Sequence, residues 1–203
     1  CCFSHSYKLN PAMFAVWMRL LRQVAGSVLW LLAAKPAAEG RLRREADRCG
    51  VDPTRLVFAP RIDLAAHLAR HAQADLFLDT LPFNAITTTS VALHAGLPVL
   101  SCSGRSFAAR GAGSLLQAVG MSALVTGNLS DYEARALELA THPERLASLR
   151  RALAERLQTG PLFDAERFRR HLEAAYRAMW TRWQGGEAPA DIVVRAAGTA
   201  TAA

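Results

Sequence analysis

The stretch from Asp79 to Leu100, DTLPFNAITTTSVALHAGLPVL, restricts the fold of this chain more than any other. An apolar run ending at Leu78 leads into a loop that contains Pro82, three threonines then begin an apolar helix, and Gly96 ends it before the β-rich Val99–Leu100. A strand, a loop, a helix, a turn and a second strand in this order predict a crossover unit of a parallel sheet. The sequence therefore predicts an α/β fold.

The start of the predicted helix, at Thr87, Thr88 and Thr89, is a candidate site for a phosphate group. The first N–H groups of a helix have no partner within the helix, and the helix dipole places partial positive charge at the same end. Hydroxyl side chains at this end can help to hold phosphate, and the diphosphate of a nucleotide is the natural ligand. The alternative is that the threonines only cap the helix, since Ser and Thr are common N-caps without any ligand.

Composition and charge restrict the class of protein. The chain has 203 residues, of which 51% are hydrophobic and 20% charged, and these values are typical of one globular domain with a sizeable core. Its 24 Lys and Arg against 17 Asp and Glu give a net charge of +7, which attracts phosphates, acidic protein segments or nucleic acid. The arginines are scattered along predicted helices without interleaved aromatic residues, so nucleic acid is not expected as a partner.

The cysteines indicate the compartment. Cys1, Cys2, Cys49 and Cys102 lack the spacing of metal ligands, so we expect free thiols in a reducing cytoplasm and no metal site. No apolar run is long enough to span a bilayer and no signal peptide is visible, so we expect no membrane association. Because Cys1–Phe3 has the character of an inner strand, we expect the chain to be a fragment whose upstream part is missing.

The remaining elements follow from hydrophobic periodicity and from start and stop signals. Ser130 with Glu133 predicts a capping box at one helix start. The long helix 164–184 has an apolar stripe that we expect to pack on this domain or on a neighbouring lobe. We expect one lobe at residues 1–185, which includes this helix, and a flexible tail at 186–203. Helices are predicted at 11–24, 39–49, 63–73, 87–96, 107–119, 130–140, 143–158 and 164–184, and strands at 27–32, 55–59, 75–79, 98–101 and 123–125.

Lys8 and His5 lie in the loop that leaves the first strand, at the sheet edge where ligands of open α/β folds bind. The common motifs of P-loop and dinucleotide-binding proteins, zinc proteases and esterases are absent from the sequence. A cation at Lys8 facing a helix N-terminus would neutralise a diphosphate, including one that leaves as negative charge develops. The alternative for a single loop lysine is an ordinary solvated side chain.

Eight segments, found in the same order over about residues 1 to 190, resemble the carboxyl-terminal lobe of O-linked N-acetylglucosamine transferases, which form glycosyltransferase family 41. The resemblance implies a Rossmann-like parallel sheet with helices on both faces, as the carboxyl-terminal lobe of a GT-B glycosyltransferase. It also implies that this lobe binds UDP-N-acetylglucosamine, while an amino-terminal lobe and tetratricopeptide repeats, both absent from this chain, bind acceptor proteins. The segments are SYKLNP, SVLWLL, RLVFAP, ADLFLDTLPFNAITT, AGLPVL, FAARGAGSLL, PLFDAERF and YRAMW.

The resemblance also implies roles for individual residues. Lys8 matches an essential lysine that contacts the donor diphosphate, and His5 matches the position of a Gln or Asn contact. Thr87 and Thr88 match two threonines whose hydroxyl and N–H groups hold phosphate.

The nucleotide base has its own set of implied contacts. Ile62 matches a residue that pairs with uracil through its backbone. His67 matches a histidine beside the nucleotide, and Arg70 matches a nearby arginine.

Two positions depart from the family pattern. Ile86 stands where the family has a histidine that contacts phosphate, and Val91 stands where it has an aspartate that accepts hydrogen bonds from the ribose. Two hypotheses therefore remain open. The first is the donor lobe of a metal-independent, inverting protein O-glycosyltransferase without a cofactor, inactive as a fragment. The second is a degenerate, non-catalytic member that acts as a protein-interaction or scaffold module.

Overall fold

A parallel β-sheet organises the first part of the chain. The computed structural model describes residues 1–194. The strands are β1 (Leu29–Leu32), β2 (Leu56–Ala59), β3 (Phe77–Leu78), β4 (Val99–Cys102) and β5 (Val125–Thr126). The helices are α1 (Pro11–Gln23), α2 (Pro36–Arg48), α3 (Leu64–His71), α4 (Thr87–His94), α5 (Gly111–Ala118), α6 (Leu129–Thr141), α7 (Pro143–Thr159) and α8 (Ala165–Gln184).

The first residues of the chain join two groups of strands. β1 pairs with β2 and β4 pairs with both β3 and β5, all in parallel. Between the groups, the N–H of Cys2 donates to the carbonyl oxygen of Trp30 at 2.9 Å, and the N–H of Leu78 donates to that of Cys1 at 2.8 Å. The order across the sheet is β2, β1, Cys1–Cys2, β3, β4, β5. From Cys1–Cys2 at the centre, the chain first forms β1 and β2 on one side. It then crosses back and forms β3, β4 and β5 on the other side, so a topological switch point lies between Cys1–Cys2 and β3.

Helices cover both faces of this sheet. α1 packs against α6, and α3, α4 and α5 form a row in which each contacts the next. Because parallel crossovers are right-handed, the outward path places α1 and α2 on one face and the path from β3 to β5 places α4 and α5 on the other. The predicted α/β architecture with a parallel sheet is confirmed.

Local capping explains where the helices begin. Asn10 accepts a hydrogen bond from the N–H of Met13 at 3.1 Å, as its sequence position predicted. The predicted cap at Ser130 is wrong, because the Asn128 side chain accepts from the N–H of Asp131 at 2.9 Å and α6 therefore begins at Leu129. The asparagine backbone is extended here, so its side chain folds back over the first turn.

The predicted helix 107–119 is interrupted. Phe107–Ala109 forms a short 3₁₀ turn, and α5 begins only at Gly111. The hydroxyl of Ser106 accepts from the N–H of Ala109 at 3.3 Å, and the carbonyl oxygen of Ala109 accepts from Gly104 at 2.8 Å. These two bonds hold the turn against its own loop, so it does not continue into the helix.

The chain divides into two compact units, Cys1–Thr159 and the part from Gly160 onward. In the second unit Asp164 caps α8, and the apolar stripe of this helix, including Phe168, Trp180 and Trp183, is exposed. The single lobe at 1–185 stays a prediction, and most of the predicted tail, 195–203, lies outside the described residues. Within residues 1–194, no helix has both the length and the apolar character that a bilayer crossing requires.

A buried polar cluster supports the loop after β3. The side chain of Asp79 is fully buried and accepts from the N–H of Ala85 at 2.7 Å and from the hydroxyl of Ser101 at 2.6 Å. The Tyr132 hydroxyl donates to the backbone oxygen of Asp79 at 3.0 Å and accepts from the Trp17 indole N–H at 3.3 Å. The cluster thus ties the loop before α4 to β4, α6 and α1.

Replacing Tyr132 with Phe tests this cluster. The substitution leaves the Trp17 indole N–H and the Asp79 carbonyl without their buried partner, so we expect the free energy of unfolding to fall by about 1–3 kcal/mol. Urea unfolding followed by circular dichroism measures the change. Tyr176→Phe on α8 is the matched control, since Tyr176 is 59% exposed and should change stability little. Equal effects of the two substitutions would contradict the role of the cluster.

The pH dependence of stability tests the burial of Asp79. Burial raises the pKa of this carboxyl from 3.8 to about 6, against the opposing effect of its hydrogen bonds and of Lys8. The folded state therefore keeps a proton that the unfolded state releases, and stability falls as the pH rises from about 4 to 6. We expect Asp79→Asn to gain about 3 kcal/mol relative to wild type between pH 4 and pH 7, as measured by urea unfolding. The exposed Asp47→Asn is the control, and parallel pH curves for Asp79→Asn and wild type would contradict the prediction.

Candidate functional site

Lys8 reaches across the topological switch point. It ends a short 3₁₀ turn, Ser6–Lys8, that follows Cys1–Cys2, the central segment of the sheet. Its Nζ donates to the backbone oxygen of Asn84 at 2.9 Å and lies 4.1 Å from the ring centroid of Phe83. Since Asn84 belongs to the loop after β3, this bond joins the two loops that flank the switch point. The predicted ligand edge of the sheet therefore has a cation at its centre.

The surroundings of Lys8 favour contact with an anion. Partial burial lowers the pKa of Lys8, while the nearby carboxylate of Asp79 acts in the opposite direction. A half-buried ammonium interacts more strongly with a neighbouring charge than a fully solvated one, because the effective dielectric constant is lower. Its two contacts, with a carbonyl oxygen and an aromatic face, direct the ammonium without neutralising it.

The start of α4 is free of side-chain caps. The N-cap residue is Ile86, whose side chain cannot accept a hydrogen bond, so the threonines are not caps. Thr87 is exposed and Thr88 is half-buried, as the first two residues of the helix. The hydroxyl of Thr89 is buried without a partner among the described residues. The first turn can therefore offer N–H and hydroxyl groups to an anion, beside the loop that binds Lys8.

The side chains of Ile86 and Val91 add no polar contact to this helix start. A methyl group placed on Gly111 would overlap the Ile86 side chain, which shows that Ile86 packs against the beginning of α5. Val91 is half-buried one turn into α4. Neither side chain can donate or accept a hydrogen bond.

α3 contributes a compact aromatic and basic cluster, and this helix packs beside α4. His67 contacts His71 and Phe3 edge-on, with ring centroids 4.5 and 5.6 Å apart. Burial, with a smaller effect of Arg70, lowers the pKa of His67, which favours the neutral imidazole. Arg70 is buried and donates to the backbone oxygen of Pro60 at 2.9 Å, so in this structure it holds the loop before α3.

His5 and Ile62 lie on neighbouring loops at the same edge. His5 stacks on Tyr7 with a centroid distance of 5.6 Å, and its Nδ1 lies 3.3 Å from Nη2 of Arg61. Ile62 follows Arg61 and is 45% exposed, so its side chain is not committed to the core. Tyr7 also makes a tilted contact with Phe83, with ring centroids 6.2 Å apart, and Phe83 is the aromatic residue that contacts Lys8.

Sequence reasoning missed the two partners of Lys8. The role of Asn84 depends on its backbone oxygen, which every residue has, and that of Phe83 depends on where its ring lies. The sequence placed both residues in the right loop, but no residue type in that loop indicates which group meets Lys8. Only the pairing of the central segment with β3 brings the two loops together.

The described residues include four cysteines but no cluster of metal-ligating side chains. All four cysteines are free, and Cys2 and Cys102 are buried. Burial raises the pKa of the Cys2 thiol to about 11, so this thiol is protonated at neutral pH. In the part of the chain that the structure describes, no three His, Cys, Asp or Glu side chains group as metal ligands would.

Comparison with known proteins gives consistent matches. A profile of Glycosyl transferase family 41 matches residues 1–172. A probable UDP-N-acetylglucosamine–peptide N-acetylglucosaminyltransferase of Arabidopsis thaliana, SEC, is 35% identical over 189 residues, which cover 93% of this chain and 19% of that protein. The UDP-N-acetylglucosamine–peptide N-acetylglucosaminyltransferase of Caenorhabditis elegans is 32% identical over 186 residues, covering 92% and 16%.

A solved structure extends the likeness to the fold. A variant of the O-GlcNAc transferase of Thermobaculum terrenum, with one lysine replaced by methionine, superimposes with a TM-score of 0.82 at 32% identity and covers 91% of this chain and 36% of that one. The chain thus spans about a fifth or less of the length of these curated relatives. The predicted Rossmann-like lobe of a GT-B glycosyltransferase is confirmed. The chain belongs to glycosyl transferase family 41, as its ordered sequence motifs predicted.

Proposed function

We propose that this chain is the donor-binding lobe of a protein O-glycosyltransferase that transfers N-acetylglucosamine from UDP-N-acetylglucosamine to Ser or Thr of proteins. The observation that carries the proposal is the hydrogen bond from Lys8 to the backbone of Asn84, which holds a cation beside the uncapped start of α4. Family membership and the names of the matched enzymes support it.

The diphosphate would bind between Lys8 and the first turn of α4. Lys8 supplies a full positive charge, while the N–H groups and hydroxyls of Thr87 and Thr88 supply oriented donors. The uridine would extend toward α3, with the backbone of Ile62 facing the base and His67 beside the nucleotide. The proximity of α3 to α4 supports this assignment.

His5 and Arg70 have less direct parts in this proposal. His5 would lie at the rim of the site, and its stack on Tyr7 supports this position. Arg70 acts through the carbonyl oxygen of Pro60, by fixing the loop that leads to Ile62.

The reaction would be an inverting displacement. The oxygen of a Ser or Thr hydroxyl would form a bond to the anomeric carbon as the bond from that carbon to the phosphate oxygen breaks, and the electron pair would leave with UDP. The hydroxyl proton would be released to water or to an oxygen of the leaving diphosphate. Lys8 and the α4 start would stabilise the negative charge that develops on the leaving phosphate. We propose that this step needs neither a metal nor a cofactor and that acceptor proteins bind through an amino-terminal lobe and tetratricopeptide repeats. We also propose that the protein acts in the cytoplasm, and its free cysteines support this compartment.

A second candidate function is a non-catalytic interaction or scaffold module. It is favoured by Ile86, whose side chain is packed at Gly111, and by Val91, which cannot accept hydrogen bonds from ribose hydroxyls. A buried hydroxyl without an acceptor costs about 1–3 kcal/mol, so the lost contacts would weaken donor binding strongly.

Lys8→Met tests the diphosphate site by calorimetric titration of the 203-residue chain with UDP. Loss of a charge-assisted hydrogen bond of about 1.5–3 kcal/mol predicts UDP binding that is weaker by about ten- to a hundredfold. Binding of uridine, which lacks the diphosphate, should not change. Lys35→Met is the matched control, because Lys35 is the only other lysine of the chain and lies at the start of α2.

The same titration decides between the two candidate functions. No detectable heat with millimolar UDP, on chain whose fold is verified by circular dichroism, would exclude the enzyme and favour the scaffold module. An equal loss of UDP affinity in the Lys8 and Lys35 variants would contradict the assignment of Lys8.

Val91→Asp tests whether the ribose contact has been lost at this position. A carboxylate here can accept the ribose hydroxyls, so we expect the affinity for UDP and for uridine to rise together by about tenfold. Val91→Ala, which removes the same methyl groups without adding an acceptor, should show no gain. A gain for UDP alone, or equal affinities of the two variants, would contradict a ribose contact at position 91.

A further inference from the structure

A basic groove lies beside Tyr7. It is a cavity of about 770 Å³ between the start of α1 and the side of α2. We call it the α1–α2 groove. Tyr7, Leu9, Phe14 and Ala15 line it on the α1 side, and Leu42, Glu45 and three arginines line it on the α2 side.

Three arginines line the α2 side of this groove. Arg41, Arg44 and Arg48 are spaced three and four residues apart, so they share one face of the helix, and all three are exposed. Within residues 1–194, no hydrogen bond or ion pair occupies the guanidinium of Arg41 or Arg44. Arg48 forms an exposed pair with Glu45 at 3.4 Å, a kind of contact that contributes little energy. The groove therefore keeps an excess of positive charge.

The floor of the groove is apolar. Phe14 is almost fully buried, and Leu9, Ala15 and Leu42 are half-buried beside it. A purely solvated arginine face needs no such floor, and a polyanion that binds by charge alone gains nothing from it. A ligand that matches both features has acidic groups on one side and apolar groups on the other.

An extended peptide has this arrangement. Successive side chains of an extended chain point to opposite sides, and alternate ones lie about 6.6 Å apart. Along α2 the rise of about 1.5 Å per residue separates Arg41 from Arg44 by about 4.5 Å and Arg44 from Arg48 by about 6 Å. Carboxylates at alternate positions of the peptide therefore match the arginine spacing within the reach of these long side chains.

The groove also adjoins the candidate site. Ser6 and Tyr7 line the groove and directly precede Lys8 in the chain, and Tyr7 contacts Phe83, whose ring lies 4.1 Å from the Lys8 ammonium. A segment bound in the groove would therefore contact Tyr7, next to the loop that holds Lys8.

We propose that the α1–α2 groove binds an extended acidic segment of a partner protein, with Asp or Glu at alternate positions facing Arg41, Arg44 and Arg48 and small apolar residues on the floor. The proposal rests on charge and shape and does not depend on donor binding. Nucleic acid is a poorer match, since single strands need aromatic platforms for stacking and Tyr7 is the only exposed aromatic residue lining the groove in the described structure.

Fluorescence anisotropy with the 203-residue chain tests this proposal. The probe is a labelled ten-residue peptide that alternates Glu with Ala or Leu, and the comparison peptide has Gln in place of each Glu. We expect the Glu peptide to bind at least tenfold more tightly at 0.15 M salt. Arg44→Glu replaces an attraction with a repulsion and should weaken binding about tenfold, as two exposed charge interactions of up to about 1 kcal/mol each imply.

Two further variants separate the groove from the overall charge of the chain. Arg151→Glu changes the net charge equally at an exposed position of α7 and should change affinity less than twofold. Ala15→Trp fills the groove at constant charge and should also weaken binding. Arg41→Glu serves as a second charge reversal if the Ala15 variant does not fold.

Several results would overturn the proposal. One is an equal loss of affinity with Arg44→Glu and Arg151→Glu, and another is equal binding of the Glu and Gln peptides. Binding of a ten-nucleotide DNA or of phosphatidylserine vesicles that requires Arg44, without binding of the Glu peptide, would assign the groove to another class of ligand. UDP titration of Arg44→Glu should match wild type, so failure of the donor site and failure of the groove can be told apart.

Discussion

The hydrogen bond between Lys8 Nζ and the backbone oxygen of Asn84 crosses the topological switch point between Cys1–Cys2 and β3, where the order of the parallel strands changes direction. Both loops that it joins follow strands whose carboxyl ends meet at this edge. Two buried hydrogen bonds hold the loop after β3: the Asp79 carboxylate accepts from the N–H of Ala85, and the Tyr132 hydroxyl donates to the backbone oxygen of Asp79. The position of the cation thus depends on a polar cluster that lies wholly inside the protein.

This arrangement has an electrostatic cost and an electrostatic use. A buried carboxylate is unfavourable in its charged form, and the raised pKa of Asp79 reflects that cost. The hydrogen bonds from Ala85 and Ser101 offset part of it and at the same time order the loop that enters α4. The resulting arrangement combines an ammonium, an uncapped helix start and hydroxyl groups, which together favour an anion over a neutral ligand.

The same edge contains the main argument against catalysis. Ile86 occupies the N-cap position, and its side chain packs at Gly111. Because this side chain is apolar, no side-chain cap occupies the first N–H groups of α4. An open helix start helps an anion to bind, whereas a histidine at this position would add a contact of its own. In the proposed donor site, the phosphate contacts would thus be better preserved than the ribose contacts, because the Val91 side chain has no acceptor. The two candidate functions differ in whether the preserved part is sufficient.

The sequence by itself determined the order of strands and helices, the parallel sheet and most helix starts, because apolar periodicity and residues such as Asn10 and Asp63 act over a few positions. It did not predict the cap at Asn128 or the break before α5, where side-chain and loop hydrogen bonds chose between neighbouring candidates. The partners of Lys8 and the basic groove beside Tyr7 were decided only by the tertiary structure. These features join residues that are far apart in the chain, and a backbone carbonyl or a ring face becomes a specific contact only when packing fixes its place.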